Sequence, residues 1–191
     1  MTLLLETERL LIRPFAVEDL AGIHALVYAD ERVRATWSGY RGALAEFRER
    51  FETDAHWRAR DGWGFLALVP KAGGGPIGLM GFQRYEPGEE LGYLRFADPA
   101  DQVGAAPGRL DAELTYALGF DFQGRGYALE AGRALVPFGF GRLGIGRIVN
   151  SVSTANPGSI LLMERLGFRI EPNLAPLDPP RVLGVLERPG D

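Results

Sequence analysis

Cysteine is absent from the 191-residue chain, which excludes disulfides, thiol nucleophiles and thiolate metal sites together. Histidine is scarce. His24 and His56 are the whole supply, too few for a multi-histidine centre, and no metal is expected. Of 21 basic side chains all but Lys71 are arginine, a bias that a GC-rich genome explains. Long apolar runs are missing as well. Leu3-Leu4-Leu5 is broken at once by Glu6 and Glu8, short of the ~7–15 residues of a signal core. No stretch approaches the ~20 residues of a membrane span. Cationic excess is lacking too: a net charge of −4 and a pI of 5.3 argue against a broad nucleic-acid face. A cytoplasmic protein is expected, with no membrane or nucleic-acid partner. Its chemistry must rest on oxygen groups, backbone donors or a borrowed cofactor.

What is present is ordinary globular material. The chain is 46% hydrophobic and 24% charged, and its length corresponds to a single domain over residues 1–191. Arg9–Phe15 reads as a first strand ended by Pro14. A helix is expected over Val17–Ala29, with Leu20, Ile23 and Val27 on one face, and another from Ala43 to about Arg60. Gly64–Val69 and Pro76–Tyr85 read as a hairpin closed by the glycines at 73–75. Residues 86–112 hold six acidic residues against two arginines, with a possible extra strand at Leu91–Phe96 and a loop over Asp98–Gly108. Strands follow at Glu113–Leu118, Arg147–Thr154, Phe168–Ile170 and Val182–Glu187. One helix runs from Gln123–Ala128 to about Phe140, kinked or stopped early by Pro137, and another spans Pro157–Leu166.

The chemistry is concentrated in Glu113–Glu130, ELTYALGFDFQGRGYALE. A strand there runs into Gln123-Gly124-Arg125-Gly126-Tyr127-Ala128 and then into an apolar-periodic helix. Glycines between a strand and a helix let successive N–H groups converge on one point, and the helix N-terminus adds partial positive charge. Arg125 adds a formal charge. A pyrophosphate suits such a cradle, although a GxG turn alone is equally an ordinary tight turn. Neither the P-loop nor the dinucleotide fingerprint fits, since no lysine follows and the residue three past Gly126 is Leu129.

Gln123-x-x-Gly126-x-Ala128 resembles the acetyl-CoA signature Q/R-x-x-G-x-G/A of the GNAT N-acetyltransferase superfamily. Two further segments are similar to its RimJ/RimL-like branch, the ribosomal-protein N-acetyltransferases. They are Thr7-Glu8-Arg9-Leu10-Leu11-Ile12-Arg13-Pro14, and Asn156-Pro157-Gly158-Ser159 followed by Met163-Glu164-Arg165-Leu166-Gly167-Phe168. The resemblance spans residues 7–168. It implies an α/β (α+β) fold: a twisted, mostly antiparallel mixed sheet of about seven strands, flanked by helices and splayed at the cofactor site. It also implies acetyl-CoA as cofactor. Pantetheine would meet backbone groups of Tyr116, Ala117 and Leu118. The N–H groups of Gln123, Gly124, Arg125, Gly126, Tyr127 and Ala128 would hold the pyrophosphate, and Asn156 and Ser159 would lie near the thioester.

The implied reaction is direct attack of a neutral primary amine on the thioester in a ternary complex. Glu113 is the expected base, with a surface carboxylate paired to arginine as the competing role. Many superfamily members carry a tyrosine where this chain has Met163, which cannot donate a proton. Ser159 is the nominated alternative acid, balanced against a role as helix cap, and Tyr116 is expected to pack rather than protonate. Glu130 reads as a structural partner at a helix start. His24 and His56 read as packing or surface residues, while Trp37, Trp57 and Trp63 could line an acceptor cleft. The resemblance favours a protein N-terminal amine as acceptor. A small cationic amine or antibiotic, or a CoA-binding regulatory module without catalysis, remain the alternatives, and monomer and homodimer are both open.

Overall fold

The computed structural model describes residues 5–36, 42–53, 62–85 and 93–190. The chain divides into two compact units, Met1–Gln83 with Thr115–Leu135, and Arg84–Leu114 with Val136–Asp191.

In the first unit, β1 (Leu5–Glu6), β2 (Leu10–Pro14), β3 (Gly64–Pro70) and β4 (Gly78–Arg84) form an antiparallel meander. The strand order there is β1-β2-β3-β4-β5, where β5 is Asp111–Leu118 and its residues from Thr115 onward belong to this unit. The expected hairpin of β3 and β4 forms, and its turn places Gly73 and Gly74 at φ of +99° and +95°, conformations that penalise any Cβ. β3 is a continuous apolar run rather than an alternating one, and it is buried on both faces. Phe15, Ile23, Val27, Phe47, Phe65 and Val69 pack into one cluster. Gly78 lies so close to β5 that a Cβ would fall 2.4 Å from the Ala117 carbonyl oxygen.

The single helix expected over 17–29 is instead a succession of turns. A 3-10 turn (Val17–Asp19) leads into α1 (Leu20–Ile23) and a π turn (His24–Tyr28), and a separate α2 follows (Glu31–Arg34). Side-chain hydrogen bonds explain both irregular ends. Asp19 accepts from the Ala16 amide at 2.8 Å and pairs with Arg13 at 2.6 Å, tightening the first turn. Asp30 caps α2 by accepting from the Arg32 amide at 2.9 Å, which ends one helical path and begins another. α3 covers Leu44–Thr53. It begins one residue after the expected Ala43, and its expected continuation from 54 to about 60 lies outside the described residues, as do His56, Trp37 and Trp57.

In the second unit the order is β5-β6-β8-β7, with β6 Arg147–Ser153, β7 Arg169–Pro172 and β8 Arg181–Glu187. β5 and β6 are parallel, and the other pairs are antiparallel. α4 (Tyr127–Arg142) continues past Pro137, so the early stop does not occur. Ala131 and Leu135, which belong to the first unit, and Val136, which belongs to the second, are buried. The bond lost at Pro137 falls on the carbonyl of Arg133, an exposed residue where water can replace it.

Eight strands are described, one more than expected, and the addition is β1. The strand expected over Leu91–Phe96 does not form in its described part, 93–96. Leu94 and Phe96 are buried, but the backbone finds other partners. Arg95 N donates to Asn173 Oδ1 at 3.0 Å, Arg95 O accepts from Leu174 N at 2.9 Å, and Tyr93 O accepts from Asn173 Nδ2 at 2.8 Å. One asparagine thus does the work of a neighbouring strand.

At the start of β5, Asp111 and Arg147 form an ion pair that is 2% and 1% exposed, with a closest N–O distance of 2.9 Å. The Asp111 carboxylate also accepts from Arg109 Nε and Gly104 N, each at 2.9 Å. Arg147 donates to the Asp101 carbonyl at 2.9 Å and lies 5.1 Å from the Phe96 ring centroid. This network fastens the 96–111 segment to the sheet.

Candidate active site

The turn between β5 and α4 is a cradle of unused donors. Gly124 and Gly126 adopt φ of +70° and +82°, and α4 begins at Tyr127. The first helical bond runs from Glu130 N to Gly126 O at 3.0 Å. Among the described residues, the amides of Gly124, Arg125, Gly126, Tyr127, Ala128 and Leu129 meet no protein acceptor. A Cβ on Gly124 would have nothing within 4 Å, so the concavity is open. Consecutive unpaired N–H groups at the start of a sixteen-residue helix form a site that an anion completes.

Gln123 departs from its expected part. Its amide donates to Phe120 O at 3.1 Å, closing a 3-10 turn, and its side chain donates to Leu118 O at 3.0 Å. The cradle therefore begins at Gly124, and the Leu118 carbonyl is already taken. Arg125 is exposed, with its guanidinium 5.9 Å from the Phe122 ring centroid. Tyr116 is half-buried, and Ala117 and Leu118 are buried.

A buttress holds the cradle from behind. Glu130 accepts from Thr7 Oγ1 at 2.5 Å, from the Arg9 amide at 2.7 Å and from Arg9 Nε at 2.6 Å. Arg9 donates onward to the Arg125 carbonyl at 3.0 Å and lies 4.5 Å from the Tyr127 ring centroid. Burial alone pushes the Glu130 carboxyl upward, but the donors from Thr7 and Arg9 outweigh it and hold the group below the usual carboxylate range. Glu130 is thus the structural partner expected of it. The surprise is Arg9. Its sequence context announced a strand, and nothing in strand periodicity signals that its side chain reaches the glycine turn. His24 packs as expected, 5.5 Å from the Phe47 ring, with Nε2 3.0 Å from Gly42 O. Trp63 is half-buried.

In the second unit the β5–β6 ladder has three pairs and closes at Glu113↔Val149. The next carbonyl, Leu114 O, accepts instead from the buried Asn150 side chain at 2.5 Å. A side-chain amide replacing a ladder bond is how a parallel pair can be ended without stranding a buried acceptor. Glu113 sits at this end, half-buried, and accepts from Tyr93 Oη at 3.0 Å. The Tyr85 hydroxyl is buried beside both groups and forms no hydrogen bond of ordinary geometry. Burial raises the Glu113 carboxyl above its ordinary range, and the two phenols and Arg181 only partly offset that rise. Tyr85, Tyr93 and Asn150 were not nominated from the sequence, because a loop tyrosine and a strand asparagine carry no spacing signal.

α5 (Pro157–Arg165) is capped by Asn156, whose Oδ1 accepts from Ser159 N at 3.1 Å. The cap is therefore Asn156, and Ser159 is the residue capped. A proline at the first helical position fits this choice, since it fixes the helix start directly after Asn156, three residues ahead of Ser159. Met163 is buried against β8, where a Cβ on Gly184 would fall 2.4 Å from its sulfur. Met163 is a packing residue.

A family model described as the acetyltransferase (GNAT) domain matches residues 9–169. The chain belongs to the GNAT acetyltransferases. Among curated relatives, the protein YkkB of Bacillus subtilis is 25% identical over 188 residues, covering 96% of this chain and 94% of its own. A solved GNAT-family acetyltransferase from Bacillus anthracis is similar with a TM-score of 0.72 at 19% identity, over 97% of this chain and 98% of its own. The ribosomal-protein-S5-alanine acetyltransferase of Vibrio fischeri gives 0.70 at 15%, covering 98% of each chain. The structure of AAC(6')-Ib in complex with paromomycin and acetyl-CoA gives 0.63 at 20%, over 93% of this chain and 92% of its own. The fold is accordingly that of the GNAT family, a mixed and mostly antiparallel eight-stranded sheet flanked by helices. Among the described residues no helix is long and apolar enough to cross a membrane.

Proposed function

We propose that this GNAT chain is an acetyl-CoA-dependent N-acetyltransferase of the RimJ/RimL-like kind, acting on a primary amine. The reading is carried by the six amides from Gly124 to Leu129 that, among the described residues, meet no protein acceptor at the head of α4. They suit the diphosphate of coenzyme A, with Gln123 supporting the turn rather than binding through its amide. Tyr116, Ala117 and Leu118 offer backbone to the pantetheine arm, and Asn156 and Ser159 remain candidates near the thioester. Acetyl-CoA, when bound, supplies an acetyl group already activated for attack.

Glu113 stands three residues before Tyr116 in the sequence of β5. A carboxyl raised by burial holds a proton more readily than a free glutamate, which suits it to accept one. Its part is to take the proton from the substrate ammonium, leaving a neutral amine. A backbone N–H in Tyr116–Leu118 would meet the developing oxyanion, and holding both reactants together supplies much of the rate. With Met163 in the core, the thiolate would be protonated by Ser159 or by water.

A protein N-terminal amine is the acceptor we favour, on the two RimJ/RimL-like segments. A small cationic amine is the second reading, since AAC(6')-Ib shares the fold at comparable similarity. Thioester consumption across N-terminal peptides and aminoglycosides separates the two, and calorimetry with CoA precedes it. Turnover with peptides and none with aminoglycosides supports the first reading. The converse supports the second. CoA binding without turnover on any amine makes the chain a regulatory module, and no heat with CoA overturns the whole proposal.

A further inference from the structure

Among the described residues, Glu113 has only neutral hydrogen-bond donors, and this sets it apart from the buried Asp111. Asp111, two residues earlier on the same strand, is closed in by Arg147 and Arg109. Among the described residues, the titratable or charged groups around Glu113 are Tyr93, Tyr85 and Arg181. Arg181 acts only through its field, because its guanidinium is spent on Ser151, donating to Oγ at 2.8 Å and to the carbonyl oxygen. The direct donor is Tyr93 Oη at 3.0 Å.

Tyr93 is itself held in place. Its carbonyl accepts from Asn173 Nδ2 at 2.8 Å, and the same amide nitrogen donates to the buried Ser151 Oγ at 3.1 Å. Asn173 Oδ1 receives the amides of Arg95 at 3.0 Å and Ala175 at 3.1 Å. One asparagine thus fixes both the backbone of Tyr93 and the segment that follows it. Tyr85 adds a buried hydroxyl that has no acceptor of ordinary geometry, yet lies close enough to interact with Glu113 and Tyr93. A buried hydroxyl without an acceptor is costly unless some state of the protein uses it.

We propose that Tyr93 is the positioning residue for the Glu113 carboxylate, clamped by Asn173, and that Tyr85 is a second donor that engages when Glu113 is ionised. The inference rests on Glu113 being the base. Neutral donors suit that task, since an arginine in their place would hold the carboxylate permanently charged and poorly basic. Tyr93 occupies Oε2 and leaves Oε1 for the amine. When the substrate ammonium gives its proton to Glu113, the carboxylate becomes a neutral acid, and both phenols keep their own protons throughout.

The test uses the full-length protein labelled with carboxyl-13C glutamate, with the Glu113 resonance assigned by its loss in Glu113→Gln. Removing one neutral hydrogen bond to the charged form should raise the Glu113 midpoint by about 0.4–1 unit in Tyr93→Phe. Tyr85→Phe should shift it in the same direction by less, as should Asn173→Ala. The NMR arm needs no acceptor. With an amine returned by the screen, the acidic limb of kcat/KM should move up with the NMR midpoint, while affinity for CoA stays unchanged. An unshifted or lowered midpoint in Tyr93→Phe overturns the proposal even if Glu113→Gln is inactive. Full activity in Glu113→Gln overturns the base assignment instead, whatever the tyrosine variants do.

Discussion

Two glutamates, one in each compact unit, meet burial with opposite results. At the head of α4, Glu130 accepts from a hydroxyl, a backbone amide and a guanidinium, and is held below the ordinary carboxylate range. At the end of the β5–β6 ladder, Glu113 accepts from a phenol and is held above it. Both are desolvated; the donor set decides the sign. A carboxylate that accepts from three donors, one of them a guanidinium, is a fixed anchor, whereas one attended by a phenol can exchange a proton at modest cost. The first shapes a binding turn, and the second is equipped for chemistry.

The strongest way to break this contrast is to exchange the carboxylate for an amide at each site. Glu113→Gln should reduce kcat by about 10²–10⁴-fold, the usual weight of a general base, with CoA affinity retained in calorimetry. Glu130→Gln should do the reverse, weakening CoA binding through a loosened turn while changing kcat at saturation far less. If both variants failed in the same parameter, the division of labour would be wrong.

Next in size is the ion pair that precedes Glu113. Asp111 and Arg147 are 2% and 1% exposed. Arg147→Met alone leaves a buried carboxylate short of its principal partner and should cost about 3–5 kcal/mol in urea unfolding. Replacing both residues with apolar ones should recover much of that loss. A single variant as stable as the parent would mean that water reaches the pair freely.

The pH dependence of stability sharpens the comparison further, because the two glutamates enter it with opposite signs. Glu130 has a lowered folded value. Its contribution is complete above the unfolded carboxylate range, near ~4.3, and is lost as pH falls through the lowered value. Glu113 has a raised folded value, so its contribution is complete below that range and is lost as pH rises through the raised value. Melting temperatures should therefore converge with the parent's in acid for Glu130→Gln. For Glu113→Gln they should rise relative to the parent as pH climbs from the unfolded range through the raised value. Parallel curves for the two variants would refute the assignment of signs.

The sequence disclosed the outline of this arrangement and little of its wiring. The hairpin, the glycine turn and the strand–turn–helix order follow from local rules, which act over a few residues and leave a periodic trace. Arg9 illustrates the limit. Its strand position was legible, but its bonds to Glu130 and Arg125 span 121 and 116 residues, and no local pattern records them. The possible strand at Leu91–Phe96 does not form in its described part for a related reason, since Asn173 supplies the hydrogen bonds there. The helix over 17–29 was misread because Asp19 and Asp30 have side chains that compete with a continuous helix, an effect apolar periodicity does not sense. At the site, Glu113 was visible by resemblance, whereas Tyr93 and Tyr85 become visible only when three-dimensional neighbours are known.

The smallest expected effect separates backbone strain from crowding within the cradle itself. Gly124 and Gly126 both have positive φ, so alanine at either should cost about 1–2 kcal/mol from conformation alone. Their surroundings differ. A Cβ on Gly124 has open space, but one on Gly126 would fall 3.3 Å from Arg9 Nη2 and press on the buttress. Gly124→Ala should therefore lose stability and a little CoA affinity, while Gly126→Ala should lose more of both. Combining each with Arg9→Ala tests the cause: removing the guanidinium should relieve Gly126→Ala and leave the penalty of Gly124→Ala unchanged. Equal penalties in both backgrounds would show that Arg9 supports the turn through Glu130 alone.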